Sequence, residues 1–180
     1  MNHLVDKAYN EDFSYSKRLT VADYTSSKSR YGGQGVQISQ AHFNPDDGYN
    51  RLLIIFDDGD MIQAKTESAD SLKDDGLYIT RSFARLAGIK VGDFLNVTPY
   101  QDGHTYKFEV KGIVTSETNQ GAYLHARVFE KAGGDFTPHT LLVGSEVDQD
   151  TIKQDKGVLS VIEKGSQEKN AYDFVASLMS

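Results

Sequence analysis

The longest uninterrupted apolar run in this chain is Leu52–Phe56, LLIIF, closed off by Asp57, Asp58, Gly59 and Asp60. A membrane-spanning helix needs roughly 20 consecutive apolar residues, so the chain contains no such span, whereas a buried strand needs no more than this run. A core must therefore be assembled from many short elements separated by turns. Around the run the pattern reads VQISQAHF, NPDDGYN, RLLIIF, DDGD and MIQAK. Pro-Asp and Asp-Gly pairs between such runs predict antiparallel strands joined as a meander, with Leu52–Phe56 the central and most buried strand.

The next segment is a strand, a helix and a hairpin in succession, residues 76–114. GLYI predicts a short strand. Thr80 follows as a helix N-cap whose hydroxyl can accept a free amide of the first turn, and Phe83, Leu86 and Ala87 mark one apolar face. Gly88 stands where a helix ends in the left-handed conformation. Gly92-Asp93 predicts a tight turn, after which FLNV begins a strand that returns as TYKFEVKGIV, with Tyr106, Phe108 and Val110 on one face and charged residues on the other. Further on, GAYLHARVFEKAGG predicts a strand leading into a short helix. HTLLVG predicts a strand, a polar helix starts near Asp148 and ends before Gly157, and VLSVIE is another strand. The expected fold class is α+β, a mixed and mostly antiparallel sheet with a few short helices.

Before this, Tyr9, Phe13 and Tyr15 are spaced more like a strand than a helix, and KRLTVADY predicts a short strand. Thr25–Gly35, TSSKSRYGGQG, has clustered Ser and Gly and predicts a mobile loop. Its Gly32-Gly33-x-Gly35 lacks the flanking strand, helix and Gly-Lys-Ser/Thr ending of a phosphate cradle. Ala171, Phe174, Val175 and Leu178 share a helical face near the end of the chain, a helix read as cut off without a cap.

Composition excludes several functions. With 19 Lys and Arg against 26 Asp and Glu the formal charge is −7, and no basic stripe is dense enough to follow a phosphate backbone, which argues against nucleic acid. Absence of cysteine removes disulfides, thiolate metal sites and cysteine nucleophiles. Met1 is followed by NHLVDKAYNEDFSYSK, which lacks the basic and apolar regions of a signal peptide; the chain is either cytosolic or a piece excised from a longer protein. Asp46, Asp47, Asp57, Asp58 and Asp60 lack the alternating spacing of a calcium loop and are explained by hairpin turn chemistry. The histidines, His3, His42, His104, His125 and His139, form no zinc pattern. No Gly-x-Ser-x-Gly elbow exists, and Ser145 and Ser166 sit in turn sequences. No set of residues passes the role test for catalysis, and His125 is expected to be a satisfied edge-strand side chain.

Four blocks taken in order resemble the extracytoplasmic domain of FtsX-like, or MacB-like, ABC transporter permeases: DDGLYITRSFARLAGIKVGDFLNV, YKFEVKGIV, GAYLHARVFEKAGGDFTPHTLLV and VLSVIEKGS. The similarity centres on Ala87 to Asp93, with Gly88, Gly92 and Asp93 at the family's glycine and aspartate positions and Ala87 where leucine is usual. A second element is Val110 to Val114, with Gly112 inside it. The resemblance implies a single extracytoplasmic domain over residues 1–180, of one body or two lobes, inserted between two transmembrane helices on the outer face of a bacterial cell, with a Gram-positive source expected. It further implies a non-catalytic role without cofactor, coupling ATP-driven movement of the membrane helices to handling of a peptide, lipid-linked molecule or cell-envelope partner. ATP hydrolysis would belong to a cytoplasmic ABC ATPase subunit, and a second permease copy is a possible partner. The adaptable surface would be TSSKSRYGGQG and TNQGAY. Two alternatives stand beside this reading: a free-standing soluble ligand- or peptide-binding module with a small β-barrel around Gly92-Asp93, and a hydrolase with dispersed catalytic residues.

Overall fold

The structure is a computed structural model that describes residues 2–45, 49–116 and 120–165. It is an α+β fold in which mostly antiparallel strands carry short helices. In chain order the elements are α1 (Asn2–Asp12), β1 (Lys17–Val21), α2 (Tyr24–Tyr31), β2 (Gln34–Asn44), β3 (Arg51–Phe56), β4 (Leu77–Thr80), α3 (Arg81–Ala87), β5 (Phe94–Pro99), β6 (Tyr106–Val114), β7 (Ala122–His125), α4 (Ala126–Lys131), β8 (Thr140–Val143), α5 (Gln149–Gln154) and β9 (Val158–Glu163). No helix among the described residues is long and apolar enough to cross a membrane.

Six strands close on themselves in the order β2-β3-β7-β4-β6-β5 and back to β2. Two of the pairings, β3–β7 and β4–β6, are parallel, and the others in the ring are antiparallel. Each strand contributes alternate residues to the interior: Ala41 and Phe43, Leu53 and Ile55, Ala122 and Leu124, Leu77 and Ile79, Phe108 and Val110, Leu95 and Val97. That is the period of two expected where one face of a strand is enclosed. Phe83 of α3 and Phe129 of α4 complete this cluster, against Phe43 and Tyr106 respectively. A second layer on the outside of the ring packs Ala8 and Tyr9 of α1 with Phe13, Tyr15, Ile54, Phe56, Tyr78 and Tyr123.

The first residues of β2 extend beyond the ring and pair with β8, which pairs with β1, which pairs with β9. This antiparallel wing has its own small core of Leu19, Val21, Leu141, Val143 and Ile152. In it Lys17 is opposite Glu163, the Lys164 amide donates to the Ser16 carbonyl at 3.0 Å, and the Lys164 ammonium donates to the Phe13 carbonyl at 2.6 Å.

Three local expectations are corrected. Residues 2–12 are helical: Tyr9 belongs to a face with Val5 and Ala8, while Phe13 and Tyr15 lie past the helix end, so their apparent alternation spans two different conformations. Residues 24–31 of the expected loop form α2. The Asp23 side chain caps it by accepting from the Ser26 amide, Ser27 is buried, and Tyr31 donates to the Asp155 carboxylate at 2.7 Å. Tyr24 and Tyr31, at the two ends of the helix, pack against the small core of the wing. MIQAK is not the third strand of a meander; it makes isolated bridges only, Phe13 with Ile62, Lys65 with Ser71 and Thr66 with Val114, and β3 takes β7 as its second partner. The expected adaptable segment TNQGAY lies partly outside the described residues, and its Ala122 and Tyr123 are fully buried in β7. The expected helix at residues 171–179 lies outside the described residues.

Two glycines separate steric from conformational demands. A Cβ on Gly121 would stand 2.0 Å from the Leu52 carbonyl oxygen, whereas one on Gly88 would meet nothing within 4 Å but would hold φ at +68°. Gly121→Ala should therefore lower unfolding free energy by about 3 kcal/mol through forced separation of β3 from β7, and Gly88→Ala by about 1 kcal/mol through left-handed backbone strain. Urea denaturation of both variants checks the order; equal losses would contradict the close β3–β7 approach.

Candidate functional site

Because β3 and β7 run parallel with Phe56 opposite His125, the residues that follow each strand emerge at the same end of the barrel. Asp57 and Asp58 follow β3, and His125 and Arg127 form the β7 to α4 junction. The Asp58 carboxylate receives Arg127 through both terminal nitrogens, at 2.6 and 2.7 Å, and the His125 Nε2 at 3.0 Å. His125 Nδ1 accepts the Arg127 backbone N–H at 3.0 Å, which assigns the ring proton to Nε2 and makes it the donor to Asp58. Arg127 Nε donates to Asp74 at 3.1 Å. These groups, with Lys65 and Asp60, line a cleft of about 490 Å³.

The electrostatics divide the two adjacent carboxylates. Hydrogen bonds from Arg127, and then from His125, hold Asp58 at about 2, well below the usual carboxylate range. Burial pushes Asp57 up to about 6, against the opposing hydrogen bond that it accepts from the Gly35 amide. Burial also lowers the Lys28 ammonium, which lies 3.4 Å from Asp57 and donates to the Gly33 and Asp58 carbonyls.

Chemically, the cleft is a fixed charge network. Both Asp58 oxygens and both His125 ring nitrogens are engaged within it. Ser71 accepts from the Lys65 ammonium at 2.9 Å. Among the described residues no group of three or more His, Asp or Glu side chains is placed to hold a metal. Asp46 and Asp47 lie outside the described residues.

The residues singled out by sequence lie elsewhere, in the β4-α3-β5-β6 module. Thr80 occupies the N-cap position of α3, but its hydroxyl donates to the Gly121 carbonyl at 3.3 Å and makes no cap. Gly88 is left-handed, with its N–H directed to the Ala84 and Arg85 carbonyls. Gly92 has φ +96° and donates to the Val110 carbonyl at 2.9 Å. The Asp93 carboxylate accepts the Lys90 amide at 2.8 Å, closing the turn. Gly112 lies under the Tyr78 ring, where a Cβ would come within 2.9 Å. None of these lines the acidic cleft. Sequence reasoning assigned Asp57 and Asp58 to turn chemistry and His125 to an edge strand; the signal available was only that His125 and Arg127 both follow a strand end.

No protein family matches this sequence, nor does any curated protein. The fold is similar to the periplasmic region of MacB from Actinobacillus actinomycetemcomitans, at 9% identity and a TM-score of 0.48, over 94% of this chain and 98% of that one. A likeness of that degree decides neither fold nor function.

Asp57 gives a testable pH dependence. Its folded value lies above the ordinary carboxylate value, so the folded state holds this proton more tightly, and stability from this group falls as pH rises from about 4 to about 6. Asp57→Asn keeps an acceptor for the Gly35 amide and removes the charge. The variant should therefore gain stability relative to the parent as pH rises through that window, read from thermal midpoints between pH 4 and pH 7. A difference that does not change with pH would contradict the burial of this carboxylate.

Proposed function

We propose that this chain is the outward-facing, non-catalytic domain of an FtsX-like or MacB-like ABC transporter permease, inserted between two membrane helices. The observation that carries the reading is the β1–β9 pairing. A domain inserted between two membrane helices must let the chain arrive and depart on one side, and here Ser16 and Lys164 are hydrogen-bonded neighbours. In sequence, four blocks in family order support the same reading, and the first two fold as the contiguous β4-α3-β5-β6 unit.

The packing of α1 supplies a route for mechanical coupling. Its last residue, Asp12, is buried, and its carboxylate accepts hydrogen bonds from the Tyr123 hydroxyl in β7 and, at 2.7 Å, from Ser116 after β6. Arg18 pairs with Asp6 at 2.9 Å and lies over the Tyr9 ring at 4.3 Å. Movement of α1 is thereby delivered to the barrel wall through buried contacts. In the proposed transporter a cytoplasmic ATPase subunit drives that movement, two permease copies work together, and the barrel presents or releases a peptide, lipid-linked or cell-envelope substrate. A second reading, a free-standing ligand-binding module, is favoured by the closed barrel and its charged cleft.

The two readings separate on topology. On the permease reading the parent gene encodes an apolar stretch of about 20 residues on each side of this segment. The chain has no cysteine, so Gln101→Cys in an exposed turn is the only thiol of the domain. With the full-length gene expressed, a membrane-impermeant maleimide should label it in intact cells. Labelling only after lysis would overturn the outward-facing assignment and leave the free-standing module.

A further inference from the structure

The cleft at the end of the barrel where β3 and β7 finish is walled by three stretches of chain: the β3 turn with Asp57 and Asp60, the β7 to α4 junction with Arg127, and the segment between β3 and β4. That segment contributes Ile62 and Lys65 on one pass and Ser71 and Leu72 on its return, closed by a β-bridge between Lys65 and Ser71. Arg127, bonded to Asp58 and to Asp74, braces the walls against one another. The enclosed volume of about 490 Å³ is that of a small-molecule pocket.

Two charges of opposite sign in this cleft are left unmet by the protein. Among the described residues Asp60 has no hydrogen-bond or ion-pair partner, and the Lys65 ammonium donates only to the uncharged Ser71 hydroxyl at 2.9 Å. They do not pair with each other, although they line one cavity. Asp57 adds to the acidic side. The Gly35 amide at 2.7 Å and the Lys28 ammonium at 3.4 Å both reach its Oδ1, which leaves Oδ2 to accept. The Ser71 hydroxyl, having accepted from Lys65, keeps its proton to donate. A cation would meet Asp60 and be opposed by Lys65, and an anion the reverse; a ligand carrying both charges satisfies both.

The rest of the wall selects a body that is apolar and short. Phe56 is buried, and Ile62 and Leu72 pack on the outer core layer while keeping part of their surface in the cleft. Gln34, His125 and Arg127 are committed to protein partners, so a peptide bond entering the cleft would give up water for no ready donor or acceptor. We propose that the cleft binds a single α-amino acid with an apolar side chain, its ammonium on Asp57 and Asp60, its carboxylate on Lys65 and Ser71, and its side chain against Ile62 and Leu72. The wall that carries Ile62 is bonded to the end of α1 and the residues after it, through the Gln63 amide to the Asp12 carbonyl at 2.9 Å and the Ser14 amide to the Met61 carbonyl at 2.7 Å. In the proposed permease, occupancy of the cleft and the position of α1 would then be linked; the binding itself does not rest on that reading.

The test is calorimetric titration of the 180-residue chain with L-leucine near neutral pH, where saturable binding that weakens with added salt is expected. Isoamylamine lacks the carboxylate, isocaproate lacks the ammonium and glycine lacks the apolar body; each should bind at least about tenfold more weakly. Asp60→Asn and Lys65→Gln should each lower leucine affinity by at least about fivefold, since a charge-assisted bond is lost. The two variants should also differ in pattern: Lys65→Gln should not weaken isoamylamine, and Asp60→Asn should not weaken isocaproate. Both side chains are exposed, so the thermal midpoint should hold. Displacement of the Ile62 and Leu72 amide resonances by leucine in the parent chain is a reading that needs no variant. Absence of leucine binding, or undiminished affinity in both variants, overturns the site. Isoamylamine or isocaproate binding as tightly as leucine overturns the zwitterion, equal binding of glycine overturns the apolar body, and tighter binding of leucyl-leucine overturns the single amino acid.

Discussion

Strand β2 is the element on which both halves of the structure depend. Over Gln34–Asn44 it pairs first with β8, then along its length with β3, and finally with β5. One strand thereby closes the barrel and starts the wing. Its register is fixed by side chains on both faces: Ala41 and Phe43 lie inside the ring, while Val36 belongs to the outer layer under α1. A slip of one residue would exchange these sets. The start of the strand is pinned by Asp57, which accepts the Gly35 amide at 2.7 Å, and by Gln34, whose side chain bonds both the Asp57 carbonyl and the Met61 amide. The acidic cleft is thus an outgrowth of the same bonds that position β2.

The polar contacts differ widely in what they contribute. Arg127, Asp58 and Asp74 are largely exposed, and solvent screening leaves such pairs with little to contribute. Asp12 is different, because Asp12 and Tyr123 are both buried. A buried carboxylate without partners would be costly, and its bonds to Tyr123 and Ser116 offset that cost. The arrangement fixes where α1 meets the ring more strictly than apolar contacts would, since an apolar surface tolerates sliding and a hydrogen-bonded carboxylate does not.

What could be read from the sequence was local. The β4-α3-β5-β6 module was legible because its signals are short-range: alternation in Tyr106–Val114, a left-handed Gly88 and the Gly92-Asp93 turn. The start of α5 near Asp148, which the structure shows to be its N-cap, was legible for the same reason. The closure of the ring was not, because the parallel β3–β7 pairing joins residues such as Phe56 and His125 that no turn connects. The same distance hid the candidate site, where Asp58 and Arg127 are 69 residues apart. Helix α2 was missed because only Tyr24 and Tyr31, at its two ends, pack on the wing core, and the Ser-rich turn between them with its Asp23 cap is in sequence indistinguishable from loop chemistry.

The direction of the strands explains how the charges come to be separated. β4 and β7 are antiparallel, with Leu77 opposite Leu124 and Ile79 opposite Ala122, and each runs directly into a helix. Their helices must then start at opposite ends of the barrel. The β7 end carries His125 and Arg127 with the carboxylates of the β3 turn; the β4 end carries Arg81 and Arg85. Thr80 and Gly121 are bonded across the arginine end, and Asp12 reaches Ser116 there. In the proposed permease, displacement of α1 would reach the arginine end through the Asp12–Ser116 bond and the acidic end through the Gln63 amide bonded to the Asp12 carbonyl and the Phe13–Ile62 bridge.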